Sequence, residues 1–279
     1  MGFLHCRQSN QQSGRPKLFL ILAFHIFFMV KLSVVLITLN EEKNLPRCLD
    51  SVKDIADEIV VVDSFSKDRT EEIVNSYGGK VFQKTFDGYV NQKNFADSKA
   101  TYNHILSLDA DEVLSDELRE SVKKAKINFT ADAYTFNRLT NYAGKWVHHC
   151  GWYPDRKMRL FDRTKGAWEG LIIHEEFKLS AKGKTSHLKG DLLHYSFNSV
   201  EDHKRQSEKF TTLGAQADFQ KGKKAPFYKI WFGPVVKFIQ SYFLRLGFLD
   251  GRTGFTICWL SAAATHNKYV KLKQLYRQK

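Results

Sequence analysis

The sequence predicts an α/β protein built on a doubly wound, mostly parallel sheet, with a basic, aromatic and mainly helical extension at its C-terminal end. Two observations predict the sheet. Short apolar, β-branched runs alternate with amphipathic stretches of about ten residues between positions 31 and 108. The runs are apolar throughout, as in strands that are covered on both faces. Loss of this alternation after about residue 200 predicts the extension.

Four strands and three helices are predicted in this region. The strands cover residues 32–38, 58–63, 80–84 and 104–108, and the helices cover residues 45–53, 69–77 and 91–100. Right-handed crossovers between parallel strands place helices on both faces of the sheet. The sequence contains neither a GxGxxG after the first strand nor a GxxxxGK[ST]. This disfavours a dinucleotide-binding Rossmann domain and a P-loop ATPase.

Polar side chains follow three of the predicted strands. Thr38, Asn40 and Glu41 follow the first, Asp63 follows the second, and Asp109-Ala110-Asp111 follows the fourth. Ligands bind beyond the carboxyl ends of the strands in such sheets, so we expect these groups to line one crevice. A helix cap is the alternative role for Asp63.

The two aspartates at positions 109 and 111 lie at alternate positions of an extended strand end, so both carboxylates point to the same side. Carboxylate oxygens are typical ligands of Mg²⁺ and Mn²⁺. A metal held there would stabilise a diphosphate as a leaving group. The motif therefore predicts a divalent metal as cofactor.

The chain carries a net charge of +13, and most of it lies near the C-terminus. Residues 221–279 contain 12 lysines and arginines but one acid, Asp250. An anionic membrane surface or a nucleic acid would suit this charge. Aromatic and aliphatic residues alternate with cations between positions 227 and 246, which is typical of a segment lying in a membrane interface. Packing against the rest of the protein is the alternative.

The chain resembles glycosyltransferase family 2, which has the GT-A fold, over residues 31–174. The resemblance rests on Thr38-Leu39-Asn40-Glu41-Glu42, on residues 59–70, on Gln92-Lys93-Asn94 and on Leu108-Asp109-Ala110-Asp111-Glu112. More narrowly, the chain is similar to the β-1,4-glucosyltransferases that modify inner-core heptose of bacterial lipopolysaccharide. Arg159-Leu160-Phe161, Ile173-His174-Glu175 and residues 247–251 carry that narrower resemblance.

The resemblance implies roles for individual residues. Donor-binding roles fall on Thr38, Asn40, Glu41, Asp63, Gln92, Asn94 and Asp109. Asp111 would be the principal metal ligand, with Asp109 beside it; His174 is a further candidate ligand because neutral imidazole commonly binds metals. An inverting transfer needs a base for the acceptor hydroxyl. We expect Glu175 in that role, because it ends a strand-like run, and Glu169 is the second candidate.

These expectations describe an inverting enzyme that moves a sugar from a UDP-sugar to a glycan or glycolipid acceptor such as inner-core heptose. Glucose is the first candidate for that sugar. It would work in the cytoplasm as a peripheral protein on the anionic inner face of the plasma membrane, without nucleic acid. A sugar-nucleotide nucleotidyltransferase is one alternative, although a glycine-rich, arginine-containing loop should then follow the first strand. A non-enzymatic basic binder of nucleic acid or membranes is the other, and it leaves the acids at three strand ends unexplained.

Three regions are predicted in the chain. Residues 31–200 form the GT-A catalytic domain, and residues 201–279 form the helical, membrane-associating extension. Residues 1–30 do not fit the pattern. Their apolar run at 18–30 has the length of a signal-peptide core, but no small-residue cleavage site follows it. We expect either a start assigned too far upstream, with Met29 as the natural start, or a membrane anchor.

Overall fold

The fold is described for residues 29–171, 174–180 and 182–278 of a computed structural model. The expectations for residues 1–30 fall almost entirely outside these residues.

The first half of the chain forms the predicted parallel sheet. Its strands are β1 (Leu32–Thr38), β2 (Glu58–Asp63), β3 (Lys80–Gln83) and β4 (His104–Asp109), and its helices are α1 (Leu45–Asp50), α2 (Thr70–Ser76) and α3 (Tyr89–Lys99). The strands are parallel and lie in the order β3-β2-β1-β4. The order reverses between β1 and β4, so a crevice opens between their carboxyl ends.

The second half extends the same sheet in mixed orientation. Its elements are β5 (Glu112–Leu114), α4 (Asp116–Ile127), β6 (Ala133–Tyr142), β7 (Lys145–Val147), β8 (Asp155–Asp162) and β11 (Thr185–Phe197). Strand β8 is antiparallel to β4 and β6, and β11 is parallel to β6. Between β8 and β11, strands β9 (Gly166–Leu171) and β10 (His174–Leu179) form a separate antiparallel ribbon. The predicted doubly wound α/β class is confirmed, with a sheet that is mixed beyond β4.

Apolar layers cover both faces of the sheet. Alternate residues of β1 enter opposite layers, as a strand requires. Val34 packs in a layer with α1, α2 and α4, whereas Val35 packs in a layer with α3 and the β9–β10 ribbon. This burial on both faces explains why the strands are apolar throughout.

The C-terminal extension is helical, as predicted. It consists of α5 (Val200–Gln220), α6 (Phe227–Ile239), a π turn (Gln240–Leu244), a 3-10 turn (Gly247–Asp250) and α7 (Gly251–Arg277). Ile257 and Cys258 of α7 are buried against Tyr142, Val147 and Cys150 of the α/β region. The extension therefore shares a core with the sheet. Among the described helices, none is long and apolar enough to span a bilayer.

Candidate active site

The loops that follow β1 and β2 are fastened to each other. Asn40 has a φ of +57°, a left-handed conformation that asparagine tolerates better than most residues. Its backbone N–H donates to Ser66 Oγ at 2.7 Å, and its Oδ1 accepts from the N–H of Lys67 at 2.8 Å. Asn40 thus holds the loop after β1 against the loop after β2 through both its side chain and its main chain.

Asp63 supports the same two loops from below. Its buried carboxylate accepts from Thr38 Oγ1 at 2.9 Å and from the Ser66 N–H at 2.8 Å. Asp68 also joins the two loops, because its carboxylate accepts from the N–H of Glu42 in the first loop and from the N–H of Thr70 after the second. The predicted residues Thr38, Asn40 and Asp63 therefore lie together at the expected edge of the sheet.

Glu41 faces the aspartates that follow β4. Its main-chain N–H donates to Thr70 Oγ1 at 2.8 Å, and its carboxylate accepts from Asn44 at 2.9 Å. Burial raises the pKa of Glu41, and the nearby charges of Asp111 and Asp109 raise it further. The crevice is thus lined by carboxylates from both of its sides.

Two buried cations hold the carboxylate of Asp109. Lys93 Nζ lies 2.8 Å from Oδ1, and an Arg159 guanidinium nitrogen lies 2.7 Å from Oδ2. Burial alone would raise the pKa of Asp109, but Arg159 and then Lys93 outweigh it, so the pKa lies well below its usual range. Because both oxygens already carry a cation, Asp109 is a poorer metal ligand than the sequence motif suggests.

Glu112 completes this ionic group from the other side of the turn. Its fully buried carboxylate accepts from the Asp109 N–H at 3.0 Å and from Arg159 at 2.9 Å, and Arg138 lies 3.5 Å away. Buried charges are tolerated when they are paired and hydrogen-bonded in this way. The sequence placed Glu112 and Arg159 in motifs but did not predict that they pair, since the pairing depends on β8 lying beside β4.

The predicted extended strand end is wrong, because β4 ends at Asp109 and the next two residues, Ala110 and Asp111, form the turn before β5. Asp111 has surroundings of its own and meets a histidine. Its Oδ2 lies 3.2 Å from Nε2 of His194, which β11 brings next to β5. The other ring nitrogen of His194 is buried and has no hydrogen-bond partner among the described residues. A carboxylate and an imidazole nitrogen at this distance suit Mn²⁺ or Mg²⁺ that also binds water and diphosphate oxygens. The described residues contain no group of three or more His, Cys, Asp or Glu side chains that could hold a metal ion.

The two candidate bases stand on opposite sides of the β9–β10 ribbon. Glu175 is 19% exposed, and its Oε1 lies 3.7 Å from Nζ of Lys93, the lysine that also holds Asp109. Glu169 is 60% exposed and lies 3.4 Å from Lys178 on the outer side of the ribbon. The side chain of His174 lies outside the described part of the structure.

Gln92 and Asn94 occupy different surroundings on α3. Gln92 is buried, donates to Ser64 Oγ at 3.1 Å and accepts from Lys84 at 3.2 Å, which places it behind the loop after β2. Asn94 exchanges two hydrogen bonds with the main chain of Trp168. Its amide thus ties α3 to β9 rather than facing the crevice.

A cavity of about 330 Å³ is lined in part by His194, the partner of Asp111. Its wall includes His194, Arg138, Asp155, Gly151 and Trp152. Arg138 donates to Asp155 at 2.7 Å, so the cavity combines an ion pair with an indole ring. Aromatic rings and paired polar groups are suited to the apolar faces and hydroxyls of a sugar.

Similarity to known proteins identifies the family of this chain. The sequence profile described as glycosyl transferase family 2 matches residues 33–203. An uncharacterised glycosyltransferase of Rickettsia typhi is 30% identical over 257 residues, covering 88% of each chain. The lipopolysaccharide core biosynthesis glycosyltransferase LpsC of Rhizobium meliloti is 30% identical over 257 residues, covering 85% of this chain and 93% of its own.

A solved structure of S. aureus TarS 1-349 with UDP aligns at 16% identity with a TM-score of 0.45, covering 89% of this chain and 92% of that one. The profile match spans more than half of the chain, and relatives at 30% identity extend over most of the rest. The protein is therefore an enzyme that belongs to glycosyltransferase family 2.

Proposed function

We propose that the protein transfers a sugar, with glucose as the first candidate, from a UDP-sugar to a saccharide of the lipopolysaccharide core or of another cell-surface glycan. The observation that carries the proposal is the Asp111–His194 pair at the point where the strand order reverses, with the sugar-sized cavity beside it. The name of the relative LpsC supports the class of acceptor.

The nucleotide is proposed to lie over the loops that follow β1 and β2. Thr38, Asn40 and Asp63 fix these loops, and Glu41 separates them from Asp111. Gln92 supports the second loop through Ser64. Asn94 is a weaker candidate for donor contact, since its amide is bonded to Trp168.

The divalent metal, Mg²⁺ or Mn²⁺, is proposed to be held by Asp111 and His194. When bound, it would neutralise the diphosphate that leaves from the donor sugar. Asp109 would contact the donor side instead, because Lys93 and Arg159 fix its carboxylate. His174 remains a proposed further ligand.

Glu175 is proposed to act as the base in a single displacement. The acceptor oxygen would form a bond to the anomeric carbon while the bond from that carbon to the diphosphate breaks, and the hydroxyl proton would pass to the carboxylate. Glu175 is favoured because it lies on the Lys93 side of the ribbon, close to Asp109. Glu169 is the second candidate.

The place of action is proposed to be the cytoplasmic face of the plasma membrane. The basic and aromatic C-terminal extension supports this location, since an acceptor that carries a lipid would be found there.

Calorimetry with UDP-glucose and Mn²⁺, together with measurement of UDP release, tests the proposal. We expect Asp111→Asn and His194→Ala to weaken metal-dependent donor binding by about 10- to 100-fold, because each removes a ligand. Glu175→Gln should retain donor binding and lose turnover by roughly 100-fold or more, because the base is lost. Glu169→Gln is the matched control and should leave both properties unchanged.

Each alternative gives a different result. Metal-dependent binding that survives both Asp111→Asn and His194→Ala would place the metal elsewhere. Turnover that persists in Glu175→Gln and falls in Glu169→Gln would move the base to Glu169. Release of pyrophosphate instead of UDP would favour a nucleotidyltransferase. A screen of UDP-glucose, UDP-galactose and their N-acetyl forms identifies the donor.

A further inference from the structure

Helix α6 is covered on one side and bare on the other. On the covered side Ile230 is buried, and Gly233 lies against α7 so closely that a Cβ there would stand 3.6 Å from Cγ2 of Thr265. On the bare side Phe232 is 62% exposed and Val236 is 63% exposed. A helix in water normally buries such large apolar residues. Because they are exposed here, this side of α6 lacks a partner among the described residues.

The bare side continues through the turns after α6 and onto the start of α7. Leu244 in the π turn is 75% exposed, and Trp259 of α7 is 60% exposed and stacks against Phe255. Phe238 contacts both of these rings edge-on, which joins the two helices. The interfacial face is defined by its large exposed apolar residues: Phe227, Tyr228, Trp231, Phe232, Val235, Val236, Ile239, Phe243, Leu244, Leu246, Phe248, Leu249, Phe255 and Trp259.

The segment that carries this face is rich in cations and poor in acids. Its segment carries Lys221, Lys223, Lys224, Lys229, Lys237, Arg245 and Arg252. The one acid between them, Asp250, is nearly buried and accepts from His149. Apolar bulk with a cationic border matches a bilayer that contains anionic lipid. A second copy of the chain fits less well, because a symmetric contact would bring two cationic borders together.

The interfacial face is joined directly to one wall of the cavity beside Asp111. The Asp250 carboxylate accepts from the N–H of His149 at 2.9 Å and lies 2.9 Å from its Nδ1. The Cys150 N–H donates to the carbonyl of Arg245 at 3.1 Å. The next residues of this loop, Gly151 and Trp152, line the cavity. The turns that carry exposed leucines and phenylalanines therefore position the loop at the cavity mouth.

We propose that the interfacial face lies in the surface of an anionic bilayer and so presents the cavity at Trp152 to the sugar of an acceptor anchored in the same bilayer. The second part rests on the proposed sugar transfer, whereas the first part stands without it. Each part has its own readout.

Co-sedimentation of the full-length protein with vesicles tests the first part. Wild type should bind vesicles of phosphatidylcholine with phosphatidylglycerol, should bind pure phosphatidylcholine less, and should lose affinity at high salt. The triple variant Phe232→Ser, Val236→Ser, Leu244→Ser should lose about 10-fold or more in binding, because it removes apolar contacts from the interface. Ile127→Ser, at an exposed apolar site on α4 outside the interfacial face, is the control and should bind as wild type does.

The triple variant should fold, since its three substituted sites are exposed. A cooperative thermal unfolding transition like that of wild type checks this. Unchanged vesicle binding by the folded triple variant would overturn the membrane face. A concentration-dependent dimer that the same substitutions abolish, without vesicle binding by wild type, would assign the face to a second copy and overturn the proposal equally.

Turnover tests the second part. Heptose-terminated lipopolysaccharide in vesicles is compared with its delipidated core oligosaccharide in solution. Wild type should favour the anchored acceptor, and the triple variant should lose that preference while it keeps turnover on the free oligosaccharide. Equal turnover by wild type on both acceptors would overturn presentation from the bilayer. Failure to transfer to either one, with vesicle binding intact, would contradict the proposed function and leave the interfacial face standing.

Discussion

At the scale of single residues, the two aspartates of the motif have separate surroundings. Asp109 is held between Lys93 and Arg159, whereas Asp111 meets His194. Asp109 is the last residue of β4, whereas Asp111 lies in the turn before β5, so the two aspartates meet different neighbours. A short motif can therefore contain one residue fixed by internal ion pairs and one that is open to a ligand.

Asp97 on α3 carries a buried carboxyl whose charge is unfavourable. Trp168 Nε1 donates to its Oδ2 at 2.9 Å, and its Oδ1 has no partner among the described residues. Burial raises the pKa of Asp97 to about 7. The folded state therefore holds the proton more strongly than the unfolded state does, so this group lowers stability as the pH rises from its unfolded pKa towards about 7.

Replacing Asp97 by asparagine should remove this pH dependence and keep an acceptor for Trp168. We expect the free energy of unfolding of Asp97→Asn minus that of wild type to be about 2–3 kcal/mol higher at about pH 8 than at about pH 5. Urea denaturation at both pH values measures it. Asp116→Asn, at an exposed carboxylate, is the control. A difference between Asp97→Asn and wild type that is the same at both pH values would show that Asp97 is charged throughout.

At the scale of elements, an irregularity in β11 sets the position of His194. The pairing of β11 with β6 shifts between His187 and Asp191, and Gly190 within this shift has a φ of +93°. A Cβ at Gly190 would stand 2.2 Å from the backbone nitrogen of Leu118 at the start of α4. The shift adds two residues to β11 relative to β6, so it sets how far along the sheet His194 lies when it meets Asp111.

Gly190→Ala should therefore disturb both stability and the metal ligands. Gly144→Ala is the control, since Gly144 has a φ of +84° but no neighbour within 4 Å of a Cβ. We expect the control to lose about 1–2 kcal/mol from its backbone conformation alone. Gly190→Ala should lose about 1–3 kcal/mol more from the collision, and should weaken Mn²⁺-dependent binding of UDP-glucose. Urea denaturation and calorimetry measure these effects, and equal losses in the two variants would refute the role of close packing.

Local patterns predicted the first half of the fold well. The bounds of β1 and β2 are as expected, because apolar runs between polar turns determine them. The carboxylates at three strand ends lie together for the same reason. Lys93, Arg159 and His194 could not be predicted as part of the site. Their partners lie 16, 50 and 83 positions away in the chain. Packing of α3 on the sheet brings Lys93 to its partner, and strand pairing brings Arg159 and His194 to theirs; no local pattern specifies either.

At the scale of the whole molecule, the extension is part of the folded core. Ile257 of α7 is buried in one cluster with Tyr142 and Val147 of the α/β region. Removing residues 221–279 would therefore expose core surface as well as remove the interfacial face. Substitutions on the exposed side separate the two effects, which a deletion does not.

Ile257→Ala tests this shared core. We expect a loss of about 2–5 kcal/mol in the free energy of unfolding, because a buried isoleucine leaves a cavity. Phe255→Ala, two positions away and half exposed, is the control and should lose less. Denaturant unfolding, measured by tryptophan fluorescence and by circular dichroism, should show one transition in both signals. This transition should move to lower denaturant concentration in Ile257→Ala. A separate early transition of the helices alone would show that the extension folds independently.

The buried group formed by Asp109, Glu112 and Arg159 has a consequence for sequence divergence. Loss of any one member leaves an uncompensated charge inside the sheet, whereas joint replacement of all three and of Lys93, the other buried partner of Asp109, by apolar residues of similar volume does not. The three positions should therefore behave as one evolutionary unit. Among descendants of this chain they should be retained together or be replaced together, and lineages with a single change should be rare.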